Sequence, residues 1–385
     1  MVFDMRETYK SCILINGQIK SLKWYVILEE EYVYHLSHLC YTIKKHCKIV
    51  NYIGKQEFMN NIIYRRLSYL WRGTVLKWYR DGKKRREEYY WQEHRKSYGG
   101  ENPDKTFYVI RRRDLYCGLF SLLITNLKRI DDAVKQGYIP VIDMQNNFNI
   151  YLSEDKIGKE NAWEYYFRQP MGYSLRDIRH SKNVIIGSGA VPEMFPYLDL
   201  KFLTGESGEL AYWRQQVKKY ISLSKTAILQ VEKEYHRLFA ADDKVLGVKC
   251  RGTDYTNAKP KNHPIQPTPE QALIKADEIM KEYGCTKVFL ATEDVAFYEL
   301  FSKHFDDKLI ANKTSYMQYH GGSMGKEEYE GHNSAYESGM EYLITTMLLS
   351  RCDCLCAGCV SATVGALLLT EGYEYTYLFD LGIYE

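Results

Sequence analysis

Val245-Leu246-Gly247-Val248-Lys249-Cys250-Arg251-Gly252-Thr253-Asp254 is the stretch on which the fold turns. Its first half is a short apolar run interrupted only by Lys249, the length and composition of a buried strand rather than a helix. The run leads without a break into an arginine, a glycine and two polar residues. Ligands of an open parallel sheet bind beyond the carboxyl ends of its strands, so Arg251 stands where a ligand would. A guanidinium there can grip phosphate oxygens through two parallel hydrogen bonds.

Toward the C-terminus, strands and helices alternate. Thr268-Pro269-Glu270-Gln271 combines a capping box with proline at the first helical position, and predicts a helix that starts there and stops near Gly284. Residues 288–291 read as the next strand, Asp294 as the N-cap of a helix through Phe301, and 309–311 as a short strand. Met340, Leu343, Ile344, Met347 and Leu348 mark an amphipathic helix. A strand over 354–356, a helix from Ser361 and a strand over 375–379 close the chain. Toward the N-terminus, 107–110 is a strand, Leu119, Leu122, Leu123, Leu127, Ile130 and Ala133 recur at helical spacing, and Gly137 precedes a strand over 138–143. Residues 184–186 read as another strand of that sheet, and 206–240 as mostly helical. This alternation predicts an α/β protein with doubly wound parallel sheets. Two Rossmann-like domains facing a cleft are expected: residues 1–240, comprising a basic, weakly patterned 1–100, an α/β segment over 105–190 and a helical bridge over 205–240, and residues 241–385.

With 385 residues, 45% of them apolar and 26% charged, the chain suits two globular domains rather than disorder. A net charge of only +3 gives no support to a nucleic-acid partner. The run 342–350 is about half the length that crosses a bilayer. The start, Met1 to Glu7, lacks the apolar core of a secretory signal, and ten cysteines without one predict reduced thiols in the cytoplasm. The stretch Lys83-Lys84-Arg85-Arg86-Glu87-Glu88-Tyr89-Tyr90-Trp91 reads either as a patch that docks peripherally on anionic lipid or a polyanionic glycan, or as a solvated helix face of mixed charge. The 35 tyrosines suit a surface that handles sugars, and a compositional bias of the lineage explains them equally well.

Three polar clusters follow strands of the second half: Arg251-Gly252-Thr253-Asp254, Thr292-Glu293-Asp294 and Ser361. Singly they have plain explanations, a loop salt bridge between Arg251 and Asp254 and helix caps at Asp294 and Ser361. Together, with the amides of a helix start after Ser361, they read as a nucleoside-diphosphate site. In the first half, Asp143 and Asn146 follow a strand, and Trp163 and Glu164 lie close behind. A carboxylate, an amide and an indole are what a sugar acceptor needs, and an ordinary loop beside an aromatic core helix accounts for them as well. No GxGxxG, Walker A, HExxH or EF-hand spacing occurs. Cys352, Cys354, Cys356 and Cys359 lack a second ligand cluster, and the alternation of the first three on a strand reads as packing, so no metal is expected. Neither Cys117 nor Cys250 has a local base that would make it a nucleophile.

The chain resembles the fucosyltransferase superfamily of core α1,6-, nodulation-factor and protein O-fucosyltransferases, and more closely the glycosyltransferases of bacterial surface-polysaccharide synthesis. The resemblance spans Leu246 to the end, through Gly247 to Asp254, His263-Pro264-Ile265, Phe289 to Asp294, Leu349 to Asp353 and Ser361 in order. It implies a GT-B-like fold, GDP-L-fucose as donor, a glycan acceptor bound by the N-terminal half, and inverting, metal-independent chemistry without a cofactor. By the same resemblance Arg251 contacts the β-phosphate and stabilises the leaving GDP, Asp254 orients the arginine or donor, and Lys249, Gly252, Thr253, His263, Glu293, Asp294 and Ser361 line the donor site. The chain departs from the pattern at Lys249, where the family often has histidine, at Gly252 in place of a second arginine, at Lys259 in place of a glutamate and at Thr345 in place of a nucleotide-reading aspartate. Two other readings remain open: a glycosyltransferase of the same architecture with another nucleotide sugar, and a non-catalytic glycan-binding protein with a degenerate donor site.

Overall fold

The structure is a computed structural model that describes residues 9–15, 18–24, 76–113, 117–252, 259–312 and 335–385. The chain gathers into two compact units, Met1–Lys84 and Arg85–Glu385. The first contains an antiparallel pair, β1 (Tyr9–Ile15) and β2 (Gln18–Trp24), with Tyr9 opposite Trp24. Helix α1 (Leu76–Trp91) follows, and its residues from Lys84 to Tyr90 are exposed, as a solvated mixed-charge face requires.

The second unit carries two sheets. The first is built from β3 (His94–Lys96), β4 (Phe107–Ile110), β5 (Ile139–Ile142) and β6 (Val184–Ile186). Their order is β3-β6-β4-β5, with β3 antiparallel and the rest parallel. Helix α2 (Leu119–Lys135) crosses from β4 to β5, and the short α3 (Ala162–Tyr166) follows β5. The short α4 (Leu200–Leu203) comes next, and the segment expected to be helical over 205–240 holds two helices, α5 (Glu209–Tyr220) and α6 (Lys225–Leu238). Asp199 and Ser224 cap α4 and α6, each accepting a backbone N–H at the helix start.

The second sheet is entirely parallel, in the order β11-β10-β7-β8-β9. It comprises β7 (Val245–Lys249), β8 (Lys287–Ala291), β9 (Leu309–Ile310), β10 (Cys354–Ala357) and β11 (Tyr375–Leu378). Between them run α7 (Pro269–Tyr283), α8 (Val295–Phe305), α9 (Ala335–Leu349) and α10 (Ser361–Leu369). The capping box at Thr268 and Gln271 forms as read, and Gly284 ends α7 in the left-handed conformation (φ 66°). Helix α8 runs past Phe301 to Phe305, because Phe297, Phe301 and Phe305 continue one buried stripe.

Period-two burial assigns the strands of the second sheet to two cores. Leu246, Val248, Leu290, Cys354 and Cys356 face α7 and α8, in a core of their own. Val245, Phe289, Ala291, Leu355 and Ala357 face the other way, into a larger core that also takes Tyr108, Ile110, Ile142 and Ile185 of the first sheet. Helices α2, α5, α9 and α10 fill that shared layer, with α10 against α2, α5 and α9. Cys352 corrects the sequence reading: it precedes β10 and packs into the shared core, whereas Cys354 and Cys356 lie on the strand's opposite face. Among the described residues no helix is long and apolar enough to cross a membrane.

Candidate active site

In the second sheet the chain winds from β7 through β8 to β9 on one side, then returns past β7 to lay β10 on the other. The connections therefore diverge between β7 and β10, the point where an open α/β sheet has a crevice at its carboxyl edge. Register places Lys249 opposite Ala291 of β8 and Ala357 of β10, so the three strands end level. Arg251-Gly252, Thr292-Glu293-Asp294 and the turn into Ser361 thus emerge side by side.

Glu293 organises the cluster. Lys249 Nζ donates to its Oε2 over 3.1 Å, and Arg251 Nε stands 3.6 Å from Oε1. Lys249 and Glu293 are buried, while Arg251 keeps a quarter of its side chain exposed. Of the two cations beside this buried carboxylate, Arg251 is the more exposed and so the one placed to meet a ligand. Asp294 is the N-cap of α8, accepting from Ala296 N over 2.8 Å. Its other oxygen lies over Gly252, where a Cβ would stand only 2.0 Å away. This explains the glycine beside Arg251: a second arginine would displace the cap.

The remaining edge is the start of α10. Gly358 N donates to Lys249 O over 2.9 Å, tying that turn to β7. Val360 occupies the N-cap without a side-chain cap bond, and Ser361 is the first helical residue. Sequence reading missed Gln266, which is 4% exposed and donates to Pro264 O and Cys359 O over 3.1 and 3.3 Å. It holds the His263-Pro264 segment against the start of α10, and its Oε1 is buried with no hydrogen-bond partner among the described residues. No local spacing signals this role, since its partners lie 2 and 93 residues away. His263 itself is half-buried, with Nδ1 3.0 Å from Lys261 O. Thr345, at the aspartate position of the family pattern, is buried in α9 and accepts from Asn312 Nδ2 over 2.7 Å. Thr253 and Asp254 lie outside the described residues.

Cys250 is fully buried beneath Arg251, and burial pushes its thiol up to about 12, so it is no nucleophile at neutral pH. Among the described residues no group of three or more His, Cys, Asp or Glu side chains could hold a metal ion.

The acceptor residues expected in the first half fare differently. Trp163 has no exposed surface: its ring lies 4.5 Å from that of Phe167 and its Nε1 donates to Arg168 O over 3.1 Å. It belongs to the core and offers no face to a sugar. Asp143 is buried, and its carboxylate accepts from the backbone N–H groups of Gln145 and Asn146 and from Asn146 Nδ2. These bonds shape the loop after β5. Asn146 and Glu164 are exposed, Glu164 accepting from Gln169 Nε2 over 2.9 Å.

No protein-family model matches this sequence, and no curated protein matches it. Among solved structures, the chain is similar to the fucosyltransferase NodZ from Bradyrhizobium at 18% identity and a TM-score of 0.40, over 69% of this chain and 94% of that one. A NodZ alpha-1,6-fucosyltransferase structure soaked with GDP-fucose gives 18% identity and a TM-score of 0.41, over 69% and 93%. The apo form of POFUT1 gives 11% and 0.44, over 73% and 100%.

Proposed function

We propose that the chain is a glycosyltransferase that binds a nucleoside-diphosphate sugar at the carboxyl edge of the second sheet, with Arg251 on the diphosphate. One observation carries this reading: an arginine beside a buried Lys249–Glu293 pair stands at the point where the sheet's connections diverge, next to the start of α10, whose N-cap Val360 makes no side-chain cap bond. The resemblance to fucosyltransferases from Leu246 to the end supports GDP-L-fucose as the donor, with a glycan of bacterial surface-polysaccharide synthesis as the acceptor, in the cytoplasm. An acceptor hydroxyl attacks the sugar's anomeric carbon with inversion, the bond to the β-phosphate oxygen breaks, GDP leaves with the electron pair, and the hydroxyl's proton is released to solvent. Arg251, held in place before the reaction, stabilises the charge that develops on the leaving phosphate, so the step needs no metal. In this reading Asp254 orients the arginine or the donor, and Thr253, His263 and Ser361 contribute to donor binding. Residues 241–385 form the donor side, and 1–240, with Asn146 and Glu164, the acceptor side.

Thermal unfolding with and without millimolar GDP tests the proposal. GDP raises the Tm of the native chain, and Arg251→Ala abolishes most of that shift. Arg251→Lys restores little of it, because an ammonium cannot reproduce the planar two-point contact. Transfer from GDP-fucose falls by about 10²- to 10³-fold in Arg251→Ala, as when one donor of charge stabilisation is removed, and survives EDTA. An unchanged melting curve with GDP overturns the reading. The Thr345–Asn312 bond favours a second one, a different nucleotide sugar in the same site, because the carboxylate that would read guanine is missing there. Stabilisation by UDP or dTDP but not GDP would select it.

A further inference from the structure

The first sheet has a crevice of the same topological kind. From β4 the chain passes through α2 to β5 on one side, then returns past β4 to place β6 on the other. Its connections diverge between β4 and β6. Beyond the carboxyl ends of these two strands opens a cavity of 530 Å³, lined by Glu88, Trp91, Gln92, Arg113, Ser188 and Gly189. That volume is in the range of small-molecule sites.

The walls are laced together. Gly189 N donates to Trp91 O, and Arg113 N donates to Gly189 O, each over 2.9 Å. Gly189 allows the half-buried indole of Trp91 to lie against the loop, because a Cβ there would stand 2.1 Å from Cε3 of the ring. Arg111, 5% exposed, fixes the same corner: its Nε donates to Gly187 O over 2.8 Å, and its guanidinium lies 4.5 Å from the Tyr90 ring and 5.2 Å from the Trp91 ring. Tyr90 OH donates to Asn147 Oδ1 over 3.1 Å, which brings the loop of Asp143 and Asn146 alongside.

We propose that this crevice is the acceptor subsite, in which a pyranose ring of an oligosaccharide stacks on Trp91 while Arg113, Gln92, Glu88 and Ser188 hydrogen-bond its hydroxyls. The inference rests on the reading of the chain as a glycosyltransferase and supplies the aromatic platform that Trp163 does not. Planar guanidinium, carboxamide and carboxylate groups each offer two parallel hydrogen bonds, the match for neighbouring hydroxyls, and the indole covers the C–H face. Arg113 also pairs with Glu87 over 2.9 Å. With its charge compensated, a neutral polyhydroxylated ligand suits it better than a diphosphate.

Titration of the full chain with chitotetraose and with cellotetraose, followed by calorimetry and saturation-transfer NMR, tests the proposal. At least one binds the native protein, Trp91→Ala binds it about tenfold more weakly, and Trp91→Phe recovers most of the loss. Arg113→Gln, on an exposed side chain, weakens binding several-fold. The GDP-induced rise in Tm persists in all three variants, which shows that they are folded. Binding of neither oligosaccharide to the native protein, or equal binding to Trp91→Ala, overturns the proposal. Glycan binding that depends on Trp91 in a protein without any GDP response supports the subsite and removes the donor-site reading instead.

Discussion

Glu293 is central to the candidate site, since its buried carboxylate accepts from Lys249 and stands 3.6 Å from Arg251. Glu293→Gln leaves Lys249 as an uncompensated buried charge, at a cost of about 3–5 kcal/mol in urea denaturation. The double variant with Lys249→Met recovers much of that stability. GDP affinity stays low in both, because the carboxylate beside Arg251 is gone; recovery of GDP binding in the double variant would refute its part in placing the arginine. Each of these residues was legible as a polar group at a strand end. Their pairing was not, because Lys249 and Glu293 are 44 residues apart and meet only through the register that sets Lys249 against Ala291. Trp163 shows the converse. Its neighbours in sequence suit a sugar site, but burial is a property of the folded environment, and here the environment is core.

Among the elements, helix starts were the most legible features, since Thr268, Gln271 and Asp294 act on amides within three residues of themselves. Helix packing was not legible. Gly365 in α10 is the case in point: a Cβ there would lie 2.3 Å from Cδ1 of Phe120 in α2. Gly365→Ala, which should favour an isolated helix by about 1 kcal/mol, is expected to destabilise the protein by about 1–3 kcal/mol through overpacking. Phe120→Leu in the same chain relieves it. A urea midpoint for Gly365→Ala at or above that of the native protein would show that the two helices part at little cost. The start of α9 is a similar contact point. Its Gly339 packs on Tyr166 and Tyr151, Tyr342 meets Phe120 edge-on, and Tyr166 OH donates to Tyr336 O over 3.1 Å. Part of the tyrosine content thus has a packing role, with burial pushing the Tyr166 phenol well above its usual range.

At the scale of the molecule, the shared core makes residues 85–385 one compact unit although they contain two sheets. Amides in the middle of α2 and of α10 are therefore expected to exchange through the same opening, with free energies within about 1 kcal/mol and the same urea dependence. A markedly lower value for one helix would show that the sheets open independently. By itself the sequence determined the alternation of strands and helices, the caps and the arginine at the end of a buried strand, because these depend on side chains close together along the chain. Only the tertiary structure decided that β10 returns beside β7, that Glu293 bridges two cations, that Trp163 is core and that Trp91 lines a crevice. Those outcomes depend on which apolar faces bury one another and which strands pair, and Trp91, Arg113 and Gly189 come together only once β3, β6 and β4 lie side by side.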